Sequence, residues 1–265
     1  MKNNKPNALD QFIIQLATEF AKIPDFEKKM QDDDLKRIHT FISVGILGLH
    51  DSVNLVTMSF VPAASKAVAN TRNLIQHSMF KEIIATLDYD PNAIQHETIR
   101  LGYVFTFHKF EVFINQLMDI MDAASEVPAQ SLKKYCKSKF GFNPVEWFRN
   151  KHIHVMNFIS NCTKHQDGLC RLSNPAYKKP AEFETHPEDQ RIVRSTQQYR
   201  ADSKAMIDAI NVLIQVINSI FMYRAIEESV EFLSEGADPM ESELFQTIKA
   251  TMETLVRVSI QAYEL

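Results

Sequence analysis

Side chains that can hold a phosphate or transfer a proton are concentrated in residues 143–168. Asn143 is the expected cap of a helix over this stretch, and Gly168 follows its last turn, where a left-handed residue is expected. At 100° per residue, this helix gathers polar side chains on one face. They are Asn150, His154, Asn157, Asn161, Lys164 and His165. Asparagine is a poor helix former, and exposed helix faces normally carry Glu, Lys, Gln and Arg. This face therefore predicts a polar contact or a reactive site.

The strongest chemical candidates on this stretch are Arg149, Asn150 and His154. A histidine with a pKa near neutrality can move the proton of a ribose 2′-hydroxyl. An arginine can hold a phosphate and the charge that develops on it. Asn150 lies about one turn from His154, where an amide can orient the ring. The combination suits a site that holds a phosphate and transfers a proton.

These residues resemble the signature of the HEPN superfamily, helical bundles that include many prokaryotic toxin and antiviral defence ribonucleases. In that signature an Arg, often followed by a polar residue such as Asn, precedes a His by four to six intervening residues. Arg149, Asn150 and His154 match it. The resemblance implies a metal-independent endoribonuclease without a cofactor, with RNA as substrate and a site assembled between two protomers of a homodimer.

Two neighbouring segments extend the resemblance, which covers residues 92–168. Asn161, Lys164, His165 and Gly168 look like the N-x-x-K-H-x-x-G helix end of some HEPN-like proteins. Residues 108–113 resemble the Phe-Glu helix that often precedes the motif, which implies a supporting role for Glu111. Asn157 and Asn161 are further supporting residues. Since His165 lies nearer the helix end, it is an alternative to His154 as the reacting histidine, with Lys164 holding the phosphate.

A second copy of the motif begins at Arg72, with Asn73 and His77. On a continuous helix, Phe80 and Ile84 would follow on the same face, so that the polar line would end in apolar packing. We therefore prefer the copy at Arg149.

Metal chemistry has one candidate in the sequence. Cys162, His165 and Cys170 have C-x2-H-x4-C spacing, but zinc-binding cysteines usually come in close pairs, and Cys162 falls on the apolar side of the helix. We favour reduced thiols and no metal. The sequence contains no Glu-x-x-His pair, Walker loop, GxGxxG, GxSxG or HExxH motif, which disfavours the corresponding enzyme classes.

Apolar residues at helical spacing predict an all-α fold, an up-and-down helical bundle with additional N- and C-terminal helices. The expected helices cover residues 7–23, 62–87, 92–125, 129–139, 143–168, 191–234 and 240–263. Two of them have a predicted core face: Ile99, Tyr103, Phe107, Phe110, Ile114, Leu117 and Met121 on 92–125, and Met206, Ile210, Leu213, Ile217, Ile220 and Ile226 on 191–234. Residues 41–60 favour a helix over a strand pair, and residues 172–189, with three prolines, favour a long ordered loop. We expect one domain over residues 1–265, with residues 92–235 as its core; residues 1–60 are a candidate separate layer.

Charge and composition narrow the location and the partners. The 265 residues carry a formal net charge of −4, so RNA binding requires a local basic patch, for which residues 133–139 are the candidate. The N-terminal residues lack the apolar core of a signal peptide, and the apolar run at 41–49 is too short for a bilayer. We therefore expect a cytoplasmic protein without membrane contact. Two function classes stay open: a HEPN-like ribonuclease, or a non-catalytic interaction protein that uses the Asn/His face as a dimer or partner interface.

Overall fold

A computed structural model describes residues 33–87, 89–124, 130–172, 178–234 and 239–265. Its contacts divide the chain into two compact units, Met1–Val44 and Gly45–Leu265. Of the first unit, only the helical residues 33–44 are described. The helix expected over residues 7–23 lies outside the described residues, and the proposed division near residue 60 stays a prediction.

The regular structure of the described residues is helical, which confirms the all-α bundle. No strand occurs within these ranges; a single antiparallel bridge pairs Leu169 with Arg191. The α-helices are α1 (Asp33–Leu55), α2 (Val61–Gln76), α3 (Lys81–Thr86), α4 (Ala93–Ala123), α5 (Leu132–Phe140), α6 (Lys151–Gln166), α7 (Thr196–Ser234) and α8 (Pro239–Glu264). A π-helical segment, Val56–Phe60, joins α1 to α2, and short 3-10 helices cover Trp147–Arg149 and Ala181–Phe183.

The π segment keeps the buried side of the long α1–α2 helix continuous. From Gly45 onward, the buried positions are Leu49, Ser52, Val56, Thr57, Val61, Ala64 and Val68. Apart from Thr57, which lies inside the π segment, they recur at steps of three, four, five, three and four residues. A step of five would turn an α-helix too far and move Val61 off the stripe. The wider turn of a π-helix absorbs the additional residue, so both halves face the bundle along one line.

The core lies where α4, α6 and α7 pack together, with α8 against α7. Helical spacing predicted the inward residues of α4, and all are buried: Ile99, Tyr103, Phe107, Phe110, Ile114, Leu117 and Met121. The same is true of the expected core face of α7: Met206, Ile210, Leu213, Ile217, Ile220 and Ile226. Trp147 packs edge-on against Phe107 and Phe110, with ring centroids 6.1 and 4.8 Å away.

Apart from the start of α6, two expected helix boundaries were wrong. Helix α7 begins at Thr196, not at residue 191, because Ser195 forms a reciprocal cap with Gln198: the backbone N–H of Gln198 donates to Ser195 Oγ at 3.1 Å, and the N–H of Ser195 donates to Gln198 Oε1 at 2.8 Å. The helix expected over residues 62–87 stops at Gln76 and resumes as α3, which has no buried residue. Met79 and Ile83, which continue the helical apolar spacing of Val68 and Ile75 in the sequence, are 89% and 58% exposed.

Two described helices are long and apolar enough to cross a membrane by length and composition alone. Asp34–Gln76 contains an 18-residue window of mean hydropathy 1.4, of which 22% is buried, and the window in Thr196–Glu227 has a mean hydropathy of 1.7, with 50% buried. Because the core helix of a soluble protein passes the same test, neither helix assigns the protein to a membrane. The continuous helix does, however, make the apolar stretch much longer than the run at residues 41–49.

Candidate functional site

Helix α6, which carries the polar face, starts later than the sequence predicted. Asn143 does not cap it; residues 143–146 form a turn, and the 3-10 helix Trp147–Arg149 follows. The cap is Asn150, which has an extended backbone (φ −114°, ψ 125°). Its Oδ1 accepts hydrogen bonds from the backbone N–H groups of His152 and Ile153, at 3.0 and 3.3 Å. This satisfies two donors that a helix N-terminus otherwise leaves open.

Asn150 also ties α6 to the last turn of α8. Its Nδ2 donates to the backbone carbonyl of Tyr263 at 2.7 Å, and the residue is only 5% exposed. Oxygen and nitrogen of the Asn150 amide therefore both have structural partners. Its place next to Arg149 in the sequence is explained by helix capping without any contact to a substrate.

Arg149 is held between two carboxylates. Its Nε donates to Glu146 and one Nη to Glu264, each at 2.6 Å, while the other Nη donates to the carbonyl of Gly141 at 3.0 Å. Burial alone would lower the pKa of Arg149, but these carboxylate hydrogen bonds outweigh it and raise the pKa. The positive charge of Arg149, which was predicted to hold a phosphate, is thus neutralised by carboxylates of the same chain.

His154 faces the loop before α7. The ring is half-buried, and its Nε2 lies 3.0 Å from the carbonyl oxygen of Lys178, to which only a protonated nitrogen can donate. Burial lowers the pKa of His154, and the hydrogen bond to Lys178 opposes that shift only in part. The neutral ring of His154 is therefore favoured, and its Nε2 is already used in the hydrogen bond to the loop.

The remaining predicted residues lie along α6 and α4. Asn161 Nδ2 donates to Asn157 Oδ1 at 2.8 Å, which makes these half-buried amides an i,i+4 pair. Lys164 and His165 are exposed in the last turn of α6. Glu111 is half-buried, and its backbone carbonyl accepts from the Asn115 side chain at 2.8 Å. No hydrogen bond of the described residues joins the His154 ring to Arg149 or to the Asn150 side chain.

The C-terminal end of α6 confirms the expected left-handed glycine. Gly168 has φ 76°, follows Asp167 at φ 52°, and donates its N–H to the carbonyl of Cys162 at 2.9 Å. Arg100 covers this glycine so closely that a Cβ there would lie 2.9 Å from the arginine Cδ. Arg100 also donates to the carbonyl of Ile192 at 3.3 Å and pairs with Glu97. The sequence offered no signal for this contact.

All three cysteines are buried and form no disulfide. Burial raises the pKa of Cys136 and of Cys162 to about 12, which keeps both thiols protonated and unreactive at neutral pH. The Cys162 thiol donates to the carbonyl of Arg171 at 3.3 Å. Within the described ranges, no group of three or more His, Cys, Asp or Glu side chains could hold a metal ion.

The sequence did not point to Glu227, which joins three helices. Its carboxylate accepts from Tyr135 at 2.5 Å and from Lys139 at 2.7 Å, both on α5, and lies 3.2 Å from Lys249 on α8. Burial alone would raise the pKa of Glu227, but the hydrogen bonds from Lys139, Tyr135 and Lys249 lower it to about 2. Partners 92 and 88 residues away cannot be read from local spacing.

The lysines of the basic segment at residues 133–139 have two different environments: one forms an ion pair and three are exposed. Lys139 is committed to Glu227, whereas Lys133, Lys134 and Lys137 are exposed on α5. An open depression of about 440 Å³ is lined by Gln130, Lys134, Lys137 and Ser138. These lysines could attract a phosphate backbone.

The second motif copy differs from the first in a way the sequence did not predict. Helix α2 ends at Gln76, so His77 lies beyond the helix, and Phe80 is 56% exposed instead of packed. Arg72 donates to the side chain of Asn92. The reason given for preferring the copy at Arg149 was therefore wrong, because it assumed a continuous helix through Phe80 and Ile84.

Comparison with protein-family models, with curated proteins and with solved structures found no match. The HEPN resemblance thus rests on the motif residues alone and stays a prediction.

Proposed function

We propose that this protein acts by binding other protein chains through an exposed apolar surface, and that the Arg149–Asn150–His154 motif serves its folding. The proposal is carried by ten exposed apolar residues between Gly45 and Asp90, on α1, the π segment, α2, α3 and the turns beside α3, which are 41–89% exposed. They form the outer apolar surface: Leu47, Leu55, Met58, Phe60, Leu74, Met79, Phe80, Ile83, Leu87 and Tyr89. Apolar side chains exposed in such number are typical of interaction sites.

The contacts of the motif support a non-catalytic role. Arg149 is neutralised by Glu146 and Glu264, and Asn150 is buried with both amide atoms engaged. His154 donates to a backbone carbonyl. A catalytic arginine and histidine need free hydrogen-bonding capacity toward the reacting phosphate. The same contacts are what a helix start and a loop anchor require.

Cross-linking mass spectrometry in the native cells tests this proposal. We expect cross-links from residues 47–89 to other chains in the wild type. In a Met58→Glu/Ile83→Glu variant, the number of these cross-links should fall by about tenfold or more, because two charges would have to be buried in the interface. Both positions are exposed, at 69% and 58%, so the fold should tolerate the change.

Val258→Glu is the matched control, since Val258 is similarly exposed, at 51%, but lies on α8 and is not one of the residues that define the outer apolar surface. It should keep the wild-type cross-links. An absence of cross-links between residues 47–89 and any other chain would refute the proposal, as would equal losses in both variants.

A ribonuclease is the second candidate, favoured by the exposure of Lys164 and His165. Both side chains are accessible in the last turn of α6, unlike Arg149 and Asn150, and exposed lysines are available on α5 to attract RNA. In this version His165 transfers the proton and Lys164 holds the phosphate. It preserves the HEPN-like chemistry but moves it along the helix.

RNA cleavage in the presence of EDTA tests the second candidate. If it is correct, the wild type cleaves RNA and His165→Ala lowers the rate by about 10²–10⁴-fold, the usual contribution of a general acid or base. His154→Ala is compared with it, and His77→Ala, at the second motif copy, serves as the control and should retain full activity. No cleavage by the wild type, or cleavage that survives both the His154 and the His165 substitutions, rejects the ribonuclease.

A further inference from the structure

We infer that the partner for the α1–α2 part of the outer apolar surface is a second copy of this chain, bound antiparallel about a two-fold axis near Met58. The inference rests on the proposed function, since it names an occupant for that surface. It involves a different part of the molecule from α6, and it uses only residues of the unit Gly45–Leu265. Three observations support it: the side of the helix that is exposed, its charges and its π segment.

The relevant residues lie opposite the buried side of the helix. Leu47 and Asp51 are each two residues from buried Leu49, and Lys66 is two residues from both Ala64 and Val68. Two residues correspond to 200° around an α-helix, so these side chains point away from the bundle. Met58 is 69% exposed between them. The outward line therefore has apolar residues at its centre and one charge toward each end.

The two charges are complementary only between copies. Asp51 and Lys66 are exposed and have no ion-pair partner within the described part of the chain. They are fifteen positions apart, or about 22 Å along one helix, too far to pair with each other in the same chain. In an antiparallel pair centred between Met58 and Ser59, Asp51 of each copy lies opposite Lys66 of the other. The two-fold axis forms this contact twice.

The π segment favours an identical partner over an unrelated straight helix. It changes the phase of the helix at Val56–Phe60, so the outward residues before and after it do not follow one heptad pattern. A two-fold axis near Met58 sets this irregular turn against its own copy. Both helices then change phase at the same level, and the contacts stay in register on either side.

A lipid bilayer is the competing occupant of an apolar helix of this length. Asp51 lies within the apolar part of the helix on its exposed side, and burying an unpaired carboxylate in hydrocarbon is costly. The antiparallel pair leaves that charge paired and near solvent. The observations therefore favour a protein partner, and vesicle binding becomes an outcome of the test.

Sedimentation equilibrium of the full chain over a concentration series tests the pairing. The wild type should approach twice its monomer mass of 30.5 kDa. Asp51→Lys and Lys66→Asp should each weaken association by about tenfold or more, because each sets like charges opposite one another twice. The double exchange, Asp51→Lys with Lys66→Asp, should restore it. Recovery in the double variant also shows that the single variants were not simply misfolded.

Lys204→Asp, a charge reversal at an exposed position of α7, is the matched control and should leave the association constant unchanged. A wild type that stays monomeric, or a dimer insensitive to the exchanges, overturns the pairing. Cross-links from residues 47–89 to other proteins by a monomeric wild type would overturn the pairing and leave the proposed function standing. Co-sedimentation of the wild type with phosphatidylcholine vesicles, in place of dimer formation, would overturn both.

Discussion

Replacing Asn150 with alanine is expected to lower the free energy of unfolding by about 2–4 kcal/mol, combining loss of a helix cap with an unsatisfied buried carbonyl. The cap serves the N–H groups of His152 and Ile153, and the carbonyl belongs to Tyr263. For a domain of this size the change corresponds to a midpoint lower by roughly 5–12 °C. Thermal and urea unfolding followed by circular dichroism measure it.

Asn143→Ala and Asn150→Asp make the test specific. Asn143 is the cap that the sequence suggested, but its side chain only accepts from Val145 N–H and donates to Glu146, both at 3.3 Å. Its removal should cost less than about 1 kcal/mol. Asn150→Asp keeps the cap but turns a carboxylate toward the Tyr263 carbonyl, so it should be no more stable than the alanine variant at neutral pH. An Asn150→Ala protein as stable as wild type would leave this amide free for chemistry.

Glu227→Gln should be the other large loss, about 2–3 kcal/mol, because it removes the charge that Lys139 and Lys249 share across α5, α7 and α8. The carboxylate side chain is 16% exposed, so water cannot replace these contacts freely. Tyr135 would retain at most a neutral acceptor in place of its charged one. Urea unfolding at pH 7 measures the loss.

The same carboxylate gives stability a defined dependence on acid. The pKa of Glu227 is about 2 in the folded chain, against an ordinary value of 4.5. A carboxylate with a lowered folded pKa stabilises fully above its unfolded pKa, and this contribution is lost as the pH falls from about 4.5 toward 2. The Glu227→Gln variant should therefore be closer to wild type at pH 3 than at pH 7. An unchanged difference between the two proteins across this range would contradict the role of the ionised group.

Glu253→Gln is the matched control, since Glu253 forms an i,i+4 pair with Arg257, which is 54% exposed, and its other contact is a long hydrogen bond from Tyr223, at 3.4 Å, that a glutamine oxygen can also accept. Such solvent-exposed pairs contribute about 0.3–0.5 kcal/mol. The control should therefore change the unfolding free energy by less than about 0.5 kcal/mol at pH 7, well below the effect at Glu227.

Helical periodicity predicted the core residues of α4 and α7 because the position of each residue in the 3.6-residue repeat fixes the side of the helix on which it lies. Phe107 and Ile114 on α4, for example, needed no knowledge of their partners to be assigned inward. Periodicity did not predict the exposure of Met79 and Ile83. Both residues recur at apolar helical spacing, yet their side chains face solvent. Periodicity reveals which side of a helix is apolar; it does not reveal whether anything packs there.

The role of each site residue was harder to predict because it depends on hydrogen-bond partners that are distant in the sequence. Asn143 and Asn150 are both residue types that can cap a helix. Asn150 is the one that does so, and its amide also donates to Tyr263, 113 residues away, a contact that local sequence cannot predict. Arg149 looks available until Glu264, 115 residues away, neutralises it. The same limit applies to Glu227. A motif count records residue types, but not whether their hydrogen bonds are already used.

The link between Asn150 and Tyr263 also constrains the order of events during synthesis. The cap residue leaves the ribosome long before its second partner, because 113 residues separate the two. At typical elongation rates this gap lasts roughly 6–20 s. Throughout that interval α6 has its local cap but lacks its anchor on α8, and the carboxylate of Glu264 has not yet reached Arg149. The central helix of the bundle therefore reaches its final attachment only after α8 has been made.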